Sequence, residues 1–278
     1  MKTIKIYLLI LLVIGSTSCG SDFLDEKPID FLSTANAFSN KDDFNASINN
    51  LYGLVRTEFF TRNDYNPMEY IYHTDITYQI ANGNSNFNTE FGPQSGWNNH
   101  WGWLYKIVSE ANTVLSRIPS SQLSDADKVA FEAKAKFFRA FGYRNLAYLF
   151  GGVPLITEEI TTEKVDFVRA TRQEVYAQII SDLTFCTLNL PAITAVRDGE
   201  VSNLAAQHLL AEVYLADGQF QKAVDAATVV IDDANTDLMV TRYGSRVSVV
   251  PGDVYWDMFQ AKNQNRITAN NKEAIWVI

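Results

Sequence analysis

Residues 203–232, NLAAQHLLAEVYLADGQFQKAVDAATVVID, decide the fold class of this chain. The spacing of apolar residues predicts two helices, Asn203 to Ala216 and Gln219 to Asp232, joined at Gly218. Small residues stand opposite large ones across the pair, in the series Leu209, Ala211, Tyr214, Gly218, Ala223, Ala227 and Val230. This pattern is close to a tetratricopeptide repeat, in which Ala and Gly let two helices approach while Tyr fills the groove between them.

Two capping motifs predict the helices directly upstream of this hairpin. Ser124-x-x-Asp127 opens a helix that Gly151-Gly152 ends, because glycine adopts the left-handed closing conformation without steric cost. Thr171-x-x-Glu174 opens the next helix, which ends near Pro191. The apolar stripe of that second helix includes Cys186, which we interpret as core packing because free cysteine is usually buried.

Apolar residues at helical spacing predict two more helices nearer the N-terminus. One begins at Ser39-x-x-Asp42, a variant capping box, and the other runs from about Asn99 until Pro119 stops it. Since repeat units need neighbours to cover their apolar faces, we expect the helix pairs at about 99–150 and 171–232 to stack as a short solenoid. The predicted fold class is therefore all-α, with tetratricopeptide-like helical hairpins and long irregular loops.

The stretch from about Thr57 to Asn99 has no helical spacing and is rich in Asn, Gly, Ser and Tyr. Loops of this length inside a compact domain are usually either functional or disordered. The many aromatic residues here favour a functional loop.

The first residues have the layout of an export signal. Lys2 and Lys5 precede the apolar run Ile6–Ile14, which is far shorter than the roughly 20 residues that span a bilayer. Small residues before Cys19 predict lipoprotein processing with acylation of Cys19, and a generic cleavage site is the alternative. We expect residues 1–18 to be a signal peptide, 19–38 a lipidated tether and 39–278 the helical domain.

The last five residues, Ala274–Ile278, form an apolar run that is typical of a β-strand. An exposed apolar end of this kind is a poor terminus for a secreted protein. We therefore expect the helical domain to be truncated, with the partner of this run lying downstream.

The composition gives little support to catalysis or to nucleic-acid binding. The formal net charge is −9, which argues against a nucleic-acid partner. Three histidines and two cysteines form no zinc signature, and we expect His208 to be a packing residue. Asp75 and Glu90 are conceivable glycosidase carboxylates, but the sequence gives no distance between them. We predict no catalytic residue, no metal site and no cofactor.

Several ordered motifs resemble those of the RagB/SusD family of outer-membrane nutrient-binding lipoproteins. They cover nearly all residues from Cys19 to the end of the chain, and their order and spacing are specific together. The motifs are Cys19 followed by Phe23-Leu24-Asp25, Trp101-x3-Tyr105 leading to Ala111-Asn112, AKAKFFRAFGY at 133–143, FGGVPL at 150–155, Val175-Tyr176 through Asp182-Leu183, and Ala205-Ala206 through Tyr214-Leu215 and Gly218.

The resemblance implies a tetratricopeptide-like scaffold that is lipid-anchored to the outer membrane and exposed at the cell surface. It further implies a TonB-dependent, SusC-like transporter as partner, to which the scaffold presents a glycan or another nutrient. Two features depart from the family. Its members are usually much longer, and Glu200 follows Gly199 where the family commonly has Arg, so we expect a local ion pair to be altered.

The chemistry of sugar binding suggests candidate ligand-binding residues in the irregular loop. A pyranose ring offers an apolar face to an aromatic plane, while its hydroxyl groups need fixed donors and acceptors. We predict that Trp97 and Tyr78 stack on sugar rings and that Asp75, Asn98 and Asn99 bind hydroxyl groups. Asp75 and Trp97 also lie where the resembling family often contributes ligand contacts. The alternative for Trp97 is packing against the start of the helix that carries Trp101.

Three functions from different classes remain open on these grounds. The leading one is capture of an oligosaccharide or similar nutrient without chemical change, followed by delivery to the transporter. The second is a protein–protein adaptor in which the repeat-like helices bind a partner and no small ligand. The third is a glycoside hydrolase.

Overall fold

The computed structural model describes residues 38–59 and 97–278, and the side chains of the second range from residue 99 onward. The compact helical unit runs from Asn40 to Ile278. Two short helices, α7 (Val254–Met258) and α8 (Arg266–Ala269), follow the six longer ones. The longer helices are α1 Lys41–Phe59, α2 Trp97–Arg117, α3 Asp125–Phe150, α4 Arg172–Asn189, α5 Asn203–Ala216 and α6 Phe220–Ile231.

Each of the six long helices packs against the next one in the chain, from α1 on α2 to α5 on α6. Alternate helices also contact each other, since α3 packs on both α1 and α5. Stacked helical hairpins of this kind are typical of a tetratricopeptide-like solenoid. The all-α prediction is confirmed, and in the described ranges the only strand-like pairing is an isolated bridge between Pro154 and Arg169.

The predicted capping motifs act as expected at three helices. The Ser124 side chain accepts a hydrogen bond from the Asp127 amide at the start of α3. At the start of α4, Thr171 and Glu174 form a reciprocal capping box. Gly151 closes α3 with a φ of 74°, and Gly218 has a φ of 76° at the α5–α6 turn, so both occupy backbone conformations that favour glycine.

The first helix begins one residue later than the sequence predicts. The Asn40 side-chain oxygen accepts hydrogen bonds from the amides of Asp42 and Asp43, at 2.8 and 3.2 Å. In return the Asp43 carboxylate accepts a hydrogen bond from the Asn40 amide at 3.2 Å. Asn40 is therefore the cap where Ser39 was predicted, because an asparagine side chain mimics the turn that starts a helix equally well.

The core lies between the faces that the helical spacing predicts to be apolar. Phe44 of α1 contacts Phe131 of α3 with ring centroids 5.3 Å apart, and Tyr52 meets Phe138 edge to face at 4.7 Å. Cys186 is fully buried on α4 and its thiol donates to the Ala133 carbonyl oxygen, which confirms its packing role. Burial raises the pKa of the Cys186 thiol well above its usual range.

A buried ion pair joins α3 to α4. The Arg139 guanidinium donates two hydrogen bonds to the Asp182 carboxylate, at 2.8 and 2.7 Å. It also donates to the Asn112 side-chain oxygen at 3.0 Å and to the Thr157 carbonyl at 2.9 Å. One arginine therefore connects α2, α3, α4 and the loop between α3 and α4.

A second buried pair joins α1 to α2. His100 Nδ1 lies 2.5 Å from a carboxylate oxygen of Glu58, and both side chains are almost fully buried. The contact holds the end of α1 against the first turn of α2. Thr57–Phe59 and Trp97–Asn99, which the sequence assigns to the irregular stretch, are helical, and residues 60–96 lie outside the described part of the chain.

The apolar run Ala274–Ile278, for which the sequence predicts a partner strand downstream, has no strand pairing among the described residues, and the downstream partner stays a prediction. Trp276 instead packs edge to face against Phe137 and Phe141, at 5.2 and 5.4 Å between ring centroids. Its indole N–H donates to the Gly199 carbonyl at 3.0 Å. These contacts attach the run to α3 and to the segment before α5. None of the described helices combines the length and apolar character that a bilayer-crossing segment needs.

Candidate functional site

The five predicted ligand-binding residues fall into two groups. Asp75 and Tyr78 lie outside the described residues, as do Glu90 and the predicted lipidation site Cys19. Trp97, Asn98 and Asn99 form the first turn of α2. Three of the five positions can therefore be placed on the scaffold.

The three placed positions do not share one face of α2. Successive residues of an α-helix are about 100° apart around its axis. Position 97 is consequently about 40° from Trp101, and position 98 is about 20° from Tyr105, whereas Asn99 is about 160° from Trp101. Asn99 is exposed on the side away from Trp101. Positions 97 and 98 therefore lie on either side of the directions of Trp101 and Tyr105, and Asn99 lies outside that arc, about 100° from position 98.

A pocket of about 360 Å³ lies beside Trp101, between α2 and the loop that joins α3 to α4. We call residues 151–170 the 151–170 loop. Ligand pockets in proteins are typically concave, rich in apolar and aromatic side chains, and about 300–1,000 Å³ in volume. The residues that line this pocket are Trp101, Tyr105, Val108, Ser109, Asn112, Pro154, Ile156, Glu158, Ile160 and Phe167.

Aromatic side chains form much of the pocket wall. Trp101 and Tyr105 lie one turn apart on α2, with ring centroids 5.0 Å apart and an interplanar angle of 49°. Phe150 supports Trp101 from α3 at 5.0 Å, and the Arg169 guanidinium lies 5.5 Å from the Trp101 ring. Phe167, on the opposite wall, is 44% exposed. The pocket therefore offers flat apolar surfaces, and neighbouring side chains hold Trp101 in its orientation.

Hydrogen bonds from helix side chains hold the 151–170 loop in place. The Tyr105 hydroxyl donates to the Pro154 carbonyl at 2.7 Å, and the Asn112 amide donates to the Ile156 carbonyl at 2.9 Å. Tyr143 bonds the Ile156 carbonyl at 2.8 Å and the Ile156 amide at 2.6 Å. Burial raises the pKa of Tyr105, and it raises the pKa of Tyr143 to about 12, so both phenols keep their protons at neutral pH.

Gly152 makes the return of this loop possible. A β-carbon at position 152 would lie 2.3 Å from the Ala170 carbonyl oxygen, a distance that backbone atoms do not tolerate. The Ala170 amide donates to the Val153 carbonyl at 3.0 Å, which draws the two ends of the loop together. A glycine at this position therefore shapes the pocket wall.

Two polar groups of the pocket have no hydrogen-bond partner among the described residues, the Ser109 hydroxyl and the Glu158 carboxylate. Both residues are exposed. The polar atoms of Asn112 and the Tyr105 hydroxyl are already engaged with the scaffold. The arrangement thus combines an apolar aromatic wall with two polar groups free to bind a ligand.

Comparison with known proteins gives the family of this fold. Residues 22–215 match the SusD-like family, which is described as starch-binding and associating with the outer membrane. The chain belongs to the SusD-like family. It is 32% identical to SusD-like protein P2 of Formosa agariphila over 242 residues, which cover 84% of this chain and 47% of that protein. The SusD-like chain spans about half the length of the curated relatives it matches.

Solved structures agree with this family at the level of the fold. A SusD-like protein from Bacteroides fragilis has a TM-score of 0.65 and 21% identity, covering 91% of this chain and 47% of that one. A laminarin-binding SusD-like protein has a TM-score of 0.61 and 24% identity, covering 74% of this chain and 48% of that one. The resemblance stated from the sequence motifs is therefore confirmed.

The prediction for His208 in this SusD-like chain is wrong. His208 was expected to be a packing residue, but its side chain is 53% exposed on α5, 4.0 Å from a Glu212 carboxylate oxygen. The side chain points outward because position 208 is not on the buried stripe of Leu204, Ala205 and Leu209.

Glu200 pairs with Arg197 at 2.7 Å, and this bond lowers the pKa of the Glu200 carboxyl group.

Sequence reasoning did not identify the pocket as a candidate site. Trp101 and Tyr105 were identified as parts of a helix stripe and of a family motif, and Ser109, Glu158 and Phe167 were not singled out. One local signal was available, because aromatic residues at positions 97, 101 and 105 recur every fourth residue and form one line along α2. The other wall comes from a loop about 50 residues away, which no local pattern reveals.

Proposed function

We propose that this SusD-like chain belongs to a cell-surface lipoprotein that captures an oligosaccharide and delivers it to a TonB-dependent outer-membrane transporter. Capture occurs without chemical change to the sugar. In this proposal residues 1–18 direct export, acylated Cys19 anchors the protein in the outer membrane, and 19–38 tether the helical domain.

The observation that carries the proposal is the aromatic pocket on α2 in a chain of a starch-binding family. Trp101, Tyr105 and Phe167 supply planar apolar surfaces for the faces of pyranose rings. The Ser109 hydroxyl and the Glu158 carboxylate are free to bind sugar hydroxyl groups. The related fold of a laminarin-binding protein supports a glycan as the first ligand to test.

The predicted residues Trp97 and Asn98 extend this site toward the N-terminus of α2. Their backbone positions lie on the helix face that carries Trp101 and Tyr105, as the helical spacing requires. We propose that Trp97 continues the aromatic line and that Asn98 binds hydroxyl groups beside it. Asp75 and Tyr78 remain proposed contacts from the preceding segment, and Asn99 is proposed to bind from the opposite side of the helix.

Affinity electrophoresis in gels that contain laminarin or starch tests the capture step. We expect the purified chain to be retarded and to release no reducing ends. Trp97→Ala and Phe167→Ala should each weaken retardation by about fivefold or more, as stacking contributes roughly 1 kcal/mol per ring. Phe220→Ala is the matched control, since Phe220 is 66% exposed on α6 and does not line the pocket.

The alternative functions predict different outcomes in the same experiment. Released reducing ends would indicate a glycoside hydrolase. An adaptor is favoured by one observation, the apolar outer face of α6, where Phe220, Val224 and Ile231 are each more than half exposed. Absence of retardation on every glycan, together with a partner protein whose binding Phe220→Ala weakens, would replace capture by the adaptor function.

Metabolic labelling with palmitate tests the proposed location. We expect label in the membrane-bound protein and none in Cys19→Ala, which should remain with the soluble periplasmic contents. Delivery is tested by co-purification with the outer-membrane transporter from labelled cells. Labelling of Cys19→Ala to the same extent as the unaltered protein would contradict the proposed anchor.

A further inference from the structure

We propose that the α2 pocket selects uncharged sugars and that Glu158 is the residue that disfavours anionic ones. The proposal rests on the proposed function of glycan capture and adds the chemical class of the glycan. Many natural polysaccharides carry sulfate or carboxylate groups, so charge is a property by which a binding protein separates its ligands.

Glu158 is the only charged residue among the described side chains that line the pocket. The residue is exposed and forms no hydrogen bond or ion pair with the rest of the described chain. Glutamate carboxylates are negatively charged at neutral pH. The ligand space therefore borders an uncompensated negative charge.

Two other acids of the 151–170 loop have partners. Glu159, next to Glu158 in the chain, bonds Arg117 at 2.7 Å and the Ser116 hydroxyl at 2.7 Å. Asp166 lies 3.3 Å from the Lys164 ammonium group. Glu158 and Glu163 have no partner among the described residues, and of these two only Glu158 lines the pocket, which makes it the acid that is available to a ligand there.

Three cations lie near the pocket, and each is already engaged. Arg169 lies over Trp101 and donates to the carbonyls of Phe150 and Gly152, at 3.2 and 2.7 Å. Lys164 is 5.9 Å from the Phe167 ring and pairs with Asp166. Arg117 is held by Glu159. In the described structure none of the three lines the pocket, so none is placed to bind a sulfate or carboxylate there.

The same carboxylate has opposite effects on neutral and anionic sugars. An ionised carboxylate only accepts hydrogen bonds, and a sugar hydroxyl donates one to it. A sulfate or uronate group has no proton to donate and is repelled at the same position. For solvent-exposed charges about 7 Å apart, with an effective dielectric constant of roughly 35 to 80, this repulsion corresponds to roughly a three- to tenfold loss of affinity.

The test compares laminarin and starch with their sulfated derivatives at low ionic strength, using the purified chain. We expect both neutral glycans to bind at least about fivefold more tightly than the sulfated forms. Glu158→Gln should raise affinity for the sulfated forms by about three- to tenfold. It should lower affinity for the neutral forms, because a neutral amide oxygen accepts a weaker hydrogen bond from a sugar hydroxyl than an ionised carboxylate does. Added salt should reduce the preference of the unaltered chain and leave that of Glu158→Gln nearly constant.

Glu163→Gln is the matched control, because Glu163 is exposed on the same loop but does not line the pocket. This variant should keep the full preference for neutral glycans. Equal affinity of the unaltered chain for both forms, or an unchanged preference in Glu158→Gln, would overturn the inference and leave glycan capture intact. Failure of all four glycans to bind would overturn both the proposed function and the inference that depends on it.

Discussion

The 151–170 loop is held by hydrogen bonds from neighbouring helices, whereas the outer face of α6 exposes apolar side chains. Side chains of α2 and α3 hold the loop by hydrogen bonds to Pro154, Ile156 and Thr157. The outer face of α6 leaves Phe220 and Ile231 exposed, with no described segment over them. A loop that hydrogen bonds fix next to aromatic side chains gives a preformed ligand pocket. An exposed apolar helix face instead suits burial against another macromolecule.

The largest expected loss of stability around the 151–170 loop comes from Arg139→Ala. This change leaves the Asp182 carboxylate buried without its partner, and removal of one member of such a pair costs about 3–5 kcal/mol. It also releases the Thr157 carbonyl from its bond to the guanidinium. Denaturant unfolding should show this loss. A loss below about 1 kcal/mol would mean that water replaces the arginine, and that the loop is braced by other contacts.

The second-largest expected effect is a loss of stability at alkaline pH. Burial raises the pKa of Tyr143 to about 12 from its usual value of 10, so the folded state holds the phenol proton more tightly than the unfolded state. The associated stability is fully present below pH 10 and is lost as the pH rises from 10 toward 12. A shift of about two units corresponds to at most roughly 2.7 kcal/mol.

Tyr143→Phe isolates this effect. The variant should lose less stability between pH 9 and pH 11 than the unaltered chain, as measured by urea unfolding at each pH. Tyr52, whose pKa burial also raises to about 12, provides a second position with the same expected result. Identical pH dependence in the variant and the unaltered chain would contradict a buried, protonated Tyr143.

Gly152→Ala should have a smaller effect on stability and a clear effect on the pocket. The added methyl group meets the Ala170 carbonyl, and relief of such a clash costs about 1–3 kcal/mol. Laminarin retardation should fall together with thermal stability. The control is Gly53→Ala on α1, where a β-carbon meets nothing within 4 Å and should stabilise the helix by about 0.5–1 kcal/mol.

The smallest effect is expected at the outer face of α6. Phe220→Ser and Val224→Ser change exposed side chains and should alter the free energy of unfolding by less than about 0.5 kcal/mol. Analytical ultracentrifugation should show less self-association in the double variant, because it removes two exposed apolar side chains from the surface. A destabilisation of more than 1 kcal/mol would show that this face is covered by the chain itself, which would remove the contrast with the 151–170 loop.

The scaffold was largely predictable because its signals are local. Helix caps and turn glycines act within one turn of the backbone, so a few residues of sequence are enough to predict them. Ser124, Thr171, Gly151 and Gly218 are the examples here. Asn40 in place of Ser39 shows the limit of that approach, as two neighbouring residues had equal capping chemistry. Trp276 shows another limit, because its partners Phe137 and Phe141 lie more than 130 residues upstream.

The candidate site was predictable only on its helix side. Positions 97, 101 and 105 follow a regular spacing, but the wall from Pro154 to Phe167 depends on hydrogen bonds to Tyr105, Asn112 and Tyr143. Glu158 was one acid among many in an acidic chain. Its distinction is that it lines the pocket without a partner, and both are properties of the folded chain.

The contact between Glu58 and His100 has a consequence for engineering. Because these side chains are in contact, the scaffold itself holds the end of α1 close to the start of α2. We therefore expect that segments grafted between Phe59 and Trp97 leave these two helix ends in place. A library of grafted segments on this frame would provide a direct route to reagents that recognise chosen polysaccharides.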